Sequence, residues 1–452
     1  MVAHGIEEIF LFVNPKSGGN KGQLFMKVPQ PFEVSVPSGT VSLRIFSLLE
    51  GTPGDKPGFH QLAKTLAAPS GPRHVKVIVG GGDGTIMWVV QEAEKHGIEV
   101  LHRLHIGIVP LGTGNDFSRA AGWGGKNPPE TMLDDDCAFL RDLVHSWTIG
   151  RADLHDVWHV KLAVDDENGQ LIKVGSEKKE KVMDCKCIES PMLNYLSIGQ
   201  DSEAGFDFEK HRQKSQLGNI LQYACSGLKV SAETFTADSI QDVVQGLYHG
   251  EDKDGAPIFC TDADELRERG APRLRSDPHI LLVLNIKSYA GGSAPRLWQA
   301  SVLRYGVDPP RDSGLLSRSS HPGDGKLDVL TLRYAARVLT GSLIGGRRVF
   351  WGAPLYFDFH EYSDADNVSY FNIDGEFYKA VNPTSLRITH GGKLQVLHSE
   401  ESMAHLHTAH PKEIEEDSDS EDDDGRTEPQ GTMFSWLGCC AASGTSEVAE
   451  PS

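Results

Sequence analysis

Three glycine-rich stretches combine glycine with small polar and acidic side chains in a way that suits phosphate chemistry. They are NPKSGGNKG at residues 14–22, GGGDGT at 80–85 and PLGTGNDFSR at 110–119. Glycine lets an anion approach main-chain N–H groups closely. Further donors are expected from four side chains: Ser17, Thr85, Thr113 and Asn115. The prediction is a phosphate-rich ligand, most simply a nucleotide.

The glycine spacing matches neither of two common phosphate motifs. No Gly-Lys-Ser/Thr follows the glycines, and the G-x-G-x-x-G fingerprint of dinucleotide sites does not occur in these stretches. Any one stretch could be an ordinary strand-to-helix turn in which Thr85 or Asn115 caps the helix. Three such turns at successive strand ends favour a binding site.

Two aspartates in these turns extend the prediction from binding to chemistry. Asp83 and Asp116 would repel a phosphate unless a divalent cation lay between them, as in phosphoryl transfer. Each could instead be a helix N-terminal acid that the helix dipole stabilises. For Asp83, which lies between two glycines, a metal-binding or catalytic role is favoured.

Apolar strands must position these turns. The runs IEEIFLFVN, VKVIV and HIGIVP are short, continuous and separated by helix-compatible segments, a pattern typical of a parallel sheet covered on both faces. Ligands bind at the carboxyl ends of such strands, where helix N-termini present N–H groups. The sequence therefore predicts an α/β domain over residues 1–150 with the three turns at one edge.

The sequence changes character after residue 150. PHILLVLNI, GKLDVLTLRY and LYFDFHEY are typical of a mainly antiparallel β domain over residues 151–400. TSLRITHGGKLQVLH predicts a hairpin around Gly-Gly, and the charged segment near 236–270 predicts helix. Residues 401–452 form an acidic tail that we expect to be disordered.

Charge and composition exclude some classes of function. The chain has 452 residues and a net charge of −19, and from Glu401 onward 13 acidic residues face 2 basic ones. Neither part offers the basic surface that nucleic-acid binding requires. There is no apolar run of membrane-spanning length, no secretion signal and no paired cysteine framework, so a soluble cytoplasmic protein is expected.

Six motifs in order resemble the catalytic and accessory regions of eukaryotic diacylglycerol kinases. The resemblance extends from about residue 9 to residue 398, and the motifs are FVNPKSGGNKG, VGGGDGTIMWVV, IVPLGTGNDFSR, NYLSIGQDSEAGFDFEKHR, LNIKSYAGG and NIDGEFY. GGDGT alone is shared with nicotinamide-dinucleotide kinases, phosphofructokinases, and sphingosine and ceramide kinases. The later motifs favour diacylglycerol kinases.

The resemblance implies an architecture and a reaction. An N-terminal three-layer α/β nucleotide domain and a C-terminal β-sandwich would enclose the active site in a cleft, and the final strands could return to the first domain. With ATP and Mg²⁺, such an enzyme phosphorylates the primary hydroxyl of membrane diacylglycerol to give phosphatidate. Two alternatives remain open: a kinase for ceramide or a sphingoid base, and a non-catalytic nucleotide- or lipid-binding regulator. The presence of Asp83, Asp116, Asp374 and Glu376 disfavours the regulator.

The resemblance also assigns roles to residues. Asp374 matches the family's proposed general base and Glu376 its neighbour, although DGE alone would favour a plain β-turn. Asp83 lies in the turn that would cradle the phosphates, and its catalytic role is predicted from its position between two glycines. Asp324 and Asp328 resemble a structural magnesium site of bacterial relatives, or else a solvated hairpin end. The nucleotide-binding residues would be Asn14, Ser17, Gly81, Gly82, Gly84, Thr85, Gly112, Thr113, Gly114, Asn115 and Asp116.

The sequence departs from larger family members, which often carry C1 domains or EF-hands before the catalytic region. Lipid capture is then expected from the kinase body, another protein or a modification. MFSWLGCC places Cys439 and Cys440 beside apolar residues, which suits S-acylation and peripheral membrane contact, or simply an unmodified end. Ser418 and Ser420 lie among acids and are candidate phosphorylation sites. The oligomeric state is not predicted.

Overall fold

The computed structural model describes residues 7–69, 71–175, 177–211, 238–292, 304–333, 346–361 and 367–407. Residues 1–412 belong to one compact unit. The division into domains at residue 150 stays a prediction. The predicted tail, with Ser418, Ser420, Cys439 and Cys440, lies outside the described residues, except that a helix at Glu400–His407 extends into its first part.

The N-terminal strands form the predicted parallel sheet. Their bounds are β1 (Glu7–Val13), β2 (Phe32–Val36), β3 (Gly39–Ser47), β4 (Val75–Gly81) and β5 (Leu104–Pro110). Strands β1, β3, β4 and β5 are parallel and β2 is an antiparallel edge strand, in the order β5-β4-β1-β3-β2.

Alternate side chains of β1 enter two different cores. Phe10 and Phe12 pack in a cluster with the helices Pro57–Ala67 and Gly84–Lys95, whereas Ile9 and Leu11 pack in a cluster with the helix Asp134–Ile149. Successive residues of a strand point to opposite faces, so helices cover both faces of the sheet. The predicted three-layer α/β arrangement is confirmed.

The same sheet continues with strands from the second half of the chain. Their bounds are β6 (Arg151–Val164), β9 (Cys187–Met192), β11 (Val244–His249), β12 (Ala256–Cys260), β19 (Leu355–Phe359) and β22 (Pro383–His398). Beyond β5 the order is β12-β11-β19-β22-β5, and β6 pairs with β22 and β9. Val396 of β22 pairs in parallel with Ile106 of β5, so the last strand returns to the first sheet.

A second sheet is mainly antiparallel and packs against this continuation. Its strands are β7 (Gln170–Val174), β8 (Glu180–Val182), β10 (Tyr195–Gly199), β14 (Ile280–Leu284), β15 (Arg304–Tyr305), β17 (Leu327–Leu332), β18 (Arg347–Gly352), β20 (Val368–Ile373) and β21 (Glu376–Val381). The order of strands in this sheet is β15-β18-β17-β14-β10-β20-β21-β7-β8. A separate small sheet pairs β13 (Arg273–Leu274) with β16 (Val307–Asp308). A core cluster contains Val160 and Leu386 from the first sheet with Leu281 and Phe371 from the second, which confirms the predicted β-sandwich.

Two local predictions are wrong. The Gly-Gly of TSLRITHGGKLQVLH is a bulge within β22, because β6 continues as its antiparallel partner on both sides of a register shift between His390 and Gly392. The segment near 236–270 is not mainly helical, since β11 and β12 form a strand pair there.

The α-helices of the described residues complete the fold. Apart from a distorted single turn at Ser17–Asn20, they are α1 (Pro57–Ala67), α2 (Gly84–Lys95), α3 (Val100–Arg103), α4 (Asp116–Ala120), α5 (Asp134–Ile149), α6 (Gln200–His211), α7 (Ile240–Val243), α8 (Ala263–Glu268) and α9 (Glu400–His407). Within the described residues, none of these helices has the length and apolarity needed to cross a bilayer.

Candidate active site

The three glycine-rich turns lie together at the carboxyl ends of β1, β4 and β5. The Asn14 N–H donates to the Gly80 carbonyl and the Leu111 N–H to the Gly81 carbonyl, both at 2.9 Å. A Cβ added to Gly112 would lie 3.0 Å from the Cα of Gly82, so the second and third turns touch backbone to backbone. The parallel sheet therefore brings together the stretches that the sequence singled out.

The first turn begins at the end of β1 and is closed by Asn14. Its side-chain oxygen accepts the Lys16 N–H at 3.1 Å and its carbonyl accepts the Ser17 N–H at 3.0 Å. Gly18 and Gly19 then adopt left-handed φ values of 63° and 66°, which glycine reaches without strain. Ser17 is half-buried beside these glycines.

The second turn begins helix α2. Gly81 lies under the Thr85 side chain, where an added Cβ would collide. Gly84, in contrast, is exposed, and an added Cβ there would meet nothing within 4 Å. The helix N-terminus therefore has room at Gly84 for a ligand to approach the main chain.

The third turn is held by Asn115, which adopts a left-handed φ of 55°. The Gly112 N–H donates to the Asn115 side-chain oxygen at 2.7 Å, and the Asn115 amide donates to the carbonyls of Gly112 at 3.0 Å and Gly125 at 2.9 Å. The expectation that this amide donates to a phosphate does not fit, because its donors already close the turn. Thr113 and Gly114 are half-buried in the same turn.

Asp116 joins this turn to a distant part of the chain. Its carboxylate is buried and accepts bonds from the hydroxyls of Ser288 at 2.6 Å and Tyr195 at 3.1 Å. The N–H groups of Gly291 and Gly292 donate to it at 2.9 and 3.2 Å. Four donors therefore satisfy a buried charge that would otherwise be costly.

Asp83 lies beside Asp116, and only one of its two carboxylate oxygens accepts hydrogen bonds from the described residues. Its Oδ2 accepts the N–H groups of Asp116 at 2.9 Å and Phe117 at 3.4 Å, together with the Asn194 side-chain amide at 3.2 Å. Its Oδ1 is buried without a hydrogen-bond partner. Burial, followed by the nearby charge of Asp116, raises the pKa of Asp83 to about 7, and Asp374 adds to the effect.

Asp374 is half-buried, and both oxygens of its carboxylate accept hydrogen bonds. It forms with Gly375 the two-residue turn between β20 and β21, and both residues have positive φ, so the β-turn expected from DGE alone is present. The carboxylate accepts the N–H groups of Leu193 at 2.5 Å, Asn194 at 2.8 Å and Tyr195 at 3.0 Å. Desolvation of the carboxylate raises the pKa of Asp374 to about 6 despite these donors, and the charge of Asp116 also raises it.

The Glu376 side chain does not contact Asp83, Asp116 or Asp374 through a hydrogen bond. Its side chain is 63% exposed, accepts the Tyr378 hydroxyl at 2.6 Å and lies 3.6 Å from the Lys173 ammonium. The hydrogen bonds that link Asp83, Asp116 and Asp374 to their neighbours do not include it. A catalytic role for Glu376 stays a prediction.

Comparison with known families finds a match for each of the two chain segments that contribute residues to this site. A family model described as the diacylglycerol kinase catalytic domain matches residues 8–136, and one described as the diacylglycerol kinase accessory domain matches residues 191–377. Together they cover more than two thirds of the chain. The chain belongs to the diacylglycerol kinase family. The resemblance inferred from the motifs is confirmed.

Individual relatives agree with this assignment. The chain is 27% identical over 414 residues to diacylglycerol kinase 2 of Arabidopsis thaliana, which covers 88% of this chain and 47% of that protein. Identity is 28% over 322 residues to the eye-specific diacylglycerol kinase of Drosophila melanogaster, covering 68% and 18%. It is 32% over 219 residues to diacylglycerol kinase theta of Mus musculus, covering 46% and 19%. The chain thus spans less than half the length of each of these relatives.

In this diacylglycerol kinase family member, the carboxylates of Asp83, Asp116 and Asp374 form a cluster where the two matched segments meet. Asp83 and Asp116 come from the catalytic segment, whereas Asp374 and its donors come from the accessory segment. Asn194, Tyr195 and the SYAGG turn at 288–292 were not assigned roles from the sequence. Their signal was available, because the motifs NYLSIG and LNIKSYAGG contain them.

The two aspartates expected to hold a structural magnesium do not fit that role together. The Asp328 carboxylate is buried and accepts bonds from the buried guanidinium of Arg348 and from the Ser320 hydroxyl. Asp324 accepts the N–H groups of His321 at 3.2 Å and Lys326 at 2.8 Å, which closes its own turn. A cation already neutralises Asp328, and no cluster of three or more His, Cys, Asp or Glu suited to a metal occurs in the described ranges.

Proposed function

We propose that the protein is an ATP-dependent lipid kinase that transfers the γ-phosphoryl group of ATP to the primary hydroxyl of diacylglycerol, which gives phosphatidate. The observation that carries the proposal is the carboxylate cluster of Asp83, Asp116 and Asp374 beside three glycine-rich turns. The relatives named diacylglycerol kinases support the choice of substrate.

The turns suit a triphosphate. The N-terminus of α2 carries a partial positive charge, and the open space at Gly84 allows a phosphate oxygen to approach it. Backbone contact between Gly82 and Gly112 keeps the second and third turns in fixed positions. A site that is already rigid holds the reacting groups without further reorganisation.

The cluster is acidic, so the phosphates must arrive with their charge partly neutralised. Mg²⁺ is expected to enter with ATP as part of the substrate complex, carried by oxygens of the β- and γ-phosphates. Asp116 and Asp374 keep their protein donors in this arrangement. Their role is to hold the two segments of the site together.

The lipid substrate implies peripheral contact with a membrane. Diacylglycerol resides in the bilayer, so its hydroxyl must reach the cluster from the membrane surface. S-acylation at Cys439 or Cys440, which lie outside the described residues, would add one anchor, and stable anchoring generally needs a second signal such as the kinase surface. The proposed membrane contact does not affect the proposal of phosphoryl transfer, and the two can be tested separately.

A transfer assay tests the function. Purified full-length protein would be incubated with labelled Mg·ATP and vesicles containing diacylglycerol, ceramide or a sphingoid base. Label is expected in phosphatidate, and Asp83→Ala is expected to remove it while the circular dichroism spectrum remains that of a folded protein. Label only in ceramide phosphate or a phosphorylated sphingoid base would overturn the choice of substrate. No label in any lipid would favour the non-catalytic regulator.

A further inference from the structure

A group of basic side chains lies near the candidate active site, at the same edge of the second sheet. We propose that this group is the surface with which the protein docks on an anionic membrane, so that the carboxylate cluster meets lipid in the bilayer. We call it the edge surface, and it consists of Leu154, Lys287, Arg318, Lys326 and Trp351. The inference rests on the proposed lipid kinase function, for which it names the membrane contact.

The register of the second sheet places Trp351 near the active site. Trp351 of β18 pairs with Asp328 of β17, which pairs with Leu284 of β14. Leu284 also pairs with Tyr195 of β10, whose hydroxyl donates to Asp116 at 3.1 Å. Neighbouring strands lie about 4.8 Å apart, so three steps across the sheet separate the backbones of Trp351 and Tyr195 by about 15 Å. A bilayer that covers the edge surface therefore lies close to the carboxylate cluster.

Two cations are held over the indole ring of Trp351. The Lys326 ammonium lies 3.5 Å from the ring centroid, and the central guanidinium carbon of Arg318 lies 5.4 Å from it. Attraction between a cation and the face of an aromatic ring is strongest for tryptophan. Because the ring restricts both side chains, less conformational entropy is lost when they bind a phosphate group. Trp351 is therefore a platform that prearranges two phosphate-binding groups.

Both cations are open to solvent. The Lys326 side chain is exposed and forms no ion pair with the described residues. The Arg318 guanidinium lies 3.4 Å from the Asp312 carboxylate, and these side chains are 47% and 42% exposed. Exposed ion pairs contribute little to stability, so a lipid phosphate group can replace Asp312 as the partner of Arg318. The two prearranged cations are therefore available to a headgroup.

The charges of this region favour an anionic partner. Lys287 follows β14, is exposed and interacts electrostatically with Asp324 of the neighbouring turn. The Arg348 guanidinium already neutralises Asp328. Three exposed cations of the edge surface then face two carboxylates, those of Asp312 and Asp324. Because the whole chain carries a net charge of −19, an anionic membrane repels most of it, and this local excess of positive charge also sets the orientation of binding.

An apolar side chain completes the edge surface. Leu154 is 41% exposed, and a Cβ added to Gly323 would lie 2.9 Å from its Cβ, so Leu154 touches the turn that leads to Lys326. At a bilayer surface, burial of apolar side chains adds to the attraction between basic residues and anionic lipids. An exposed leucine and an indole beside cations therefore suit the boundary between lipid headgroups and acyl chains.

Vesicle flotation tests the inference without requiring turnover. Full-length protein purified without acylation would be mixed with vesicles of phosphatidylcholine, alone or with phosphatidylserine. The test variant combines Arg318→Gln with Lys326→Gln. The matched control combines Lys64→Gln with Arg73→Gln, and both of these residues are exposed. Lys64 lies in the last turn of α1 and Arg73 just before β4, at the edge of the parallel sheet opposite the glycine-rich turns.

The wild-type protein is expected to bind the phosphatidylserine vesicles and to dissociate as salt is added, because salt screens the attraction. The test variant is expected to bind about ten- to thirtyfold more weakly, since each basic residue near an anionic surface contributes roughly fivefold. The control is expected to bind within about twofold of wild type, because its charges lie more than a Debye length from the membrane. Equal losses in both variants, no loss in the test variant, or no binding of the wild type would overturn the assignment.

Two further measurements separate docking from folding and from chemistry. Trp351→Leu removes the platform, keeps both charges and is expected to weaken vesicle binding about two- to fivefold. Trp351→Phe is the second variant if leucine lowers the Tm. The Arg318 and Lys326 double variant is expected to lose activity on vesicles and to keep its kcat in neutral detergent micles of the same lipid; equal losses in both would overturn the assignment. Failure of diacylglycerol as a substrate would overturn the proposed function and leave the flotation result unaffected.

Discussion

The Ser288 hydroxyl donates a 2.6 Å hydrogen bond to the Asp116 carboxylate across 172 residues of sequence. With Gly291 and Gly292, it attaches the third glycine-rich turn to the accessory segment. Ser288→Ala is expected to reduce the free energy of unfolding by about 1.5–3 kcal/mol, because a hydrogen bond to a charged group is lost. Urea unfolding measures the change.

The matched control for this variant is Ser369→Ala. Ser369 is also buried, but its hydroxyl bonds only to the neutral amide oxygen of Asn367 at 3.3 Å. We expect a loss of about 0.5–1.5 kcal/mol and little change in phosphoryl transfer. Equal effects of the two variants on activity would mean that the Ser288 bond has no special role at the site.

Two glycines in the turns should respond differently to alanine. At Gly112 an added Cβ would lie 2.8 Å from Asn115 Oδ1 and 3.0 Å from the Cα of Gly82, so Gly112→Ala must push two turns apart. At Gly84 the added Cβ would meet no protein atom within 4 Å, so Gly84→Ala should fold normally and mainly raise the KM for ATP.

Thermal unfolding and ATP kinetics of both variants provide the measurement. Gly112→Ala is expected to lower the Tm and abolish activity together. An unchanged KM for ATP in Gly84→Ala would place the phosphates away from the start of α2.

The stability of the protein should depend on pH through Asp83. Its pKa rises from 3.8 to about 7 on folding, so between these values the folded state binds the proton more tightly than the unfolded state. The free energy of unfolding therefore falls as pH rises from about 4 to 7, and the contribution is at most about 4 kcal/mol. Asp83→Asn should be more stable relative to wild type at pH 8 than at pH 5.

Urea unfolding at pH 5 and pH 8 checks this prediction. Asp166→Asn is a suitable control, because Asp166 is exposed in a loop. A difference between wild type and Asp83→Asn that does not change with pH would show that Asp83 keeps an ordinary proton affinity in the folded state.

The buried ion pair of Arg348 with Asp328 should be costly to break. Arg348→Met leaves a buried carboxylate without its cation and is expected to cost about 3–5 kcal/mol of unfolding free energy. Arg275→Met breaks an exposed pair with Asp308 and should cost about 0–1 kcal/mol. A Mg²⁺-dependent gain in stability that disappears in Asp328→Asn would instead support a metal site there.

The sequence predicted the site best where strand geometry alone decides it. Gly81 and Gly112 had to meet because parallel strands end at one edge of a sheet, and they do. Nothing local places Asn194 beside Asp83, since that contact depends on how two distant segments pack. The ion pair of Asp328 was not foreseen for a similar reason, because its partner Arg348 lies on a neighbouring strand, 20 residues further along.

The hairpin predicted around Gly391 and Gly392 shows the same limit. A Gly-Gly pair between alternating strands ordinarily indicates a turn, and only the presence of a long antiparallel partner makes it a bulge. That partner, β6, lies more than 200 residues earlier in the sequence. Asp374 is a comparable case, because the periodicity of its strands does not connect it with the glycine-rich turns and only the resemblance of its motif does.

The return of β22 to β5 has a consequence for how the chain is made. Val396 pairs with Ile106, so the β5 side of the N-terminal parallel sheet is completed only after almost all of the described chain has been synthesised. Until then the edge of β5 offers unpaired N–H and C=O groups to any passing strand. Long-range pairing of this kind slows folding. A fragment ending near residue 150 would keep that edge open permanently, so aggregation is the hazard to expect when residues 1–150 are expressed alone.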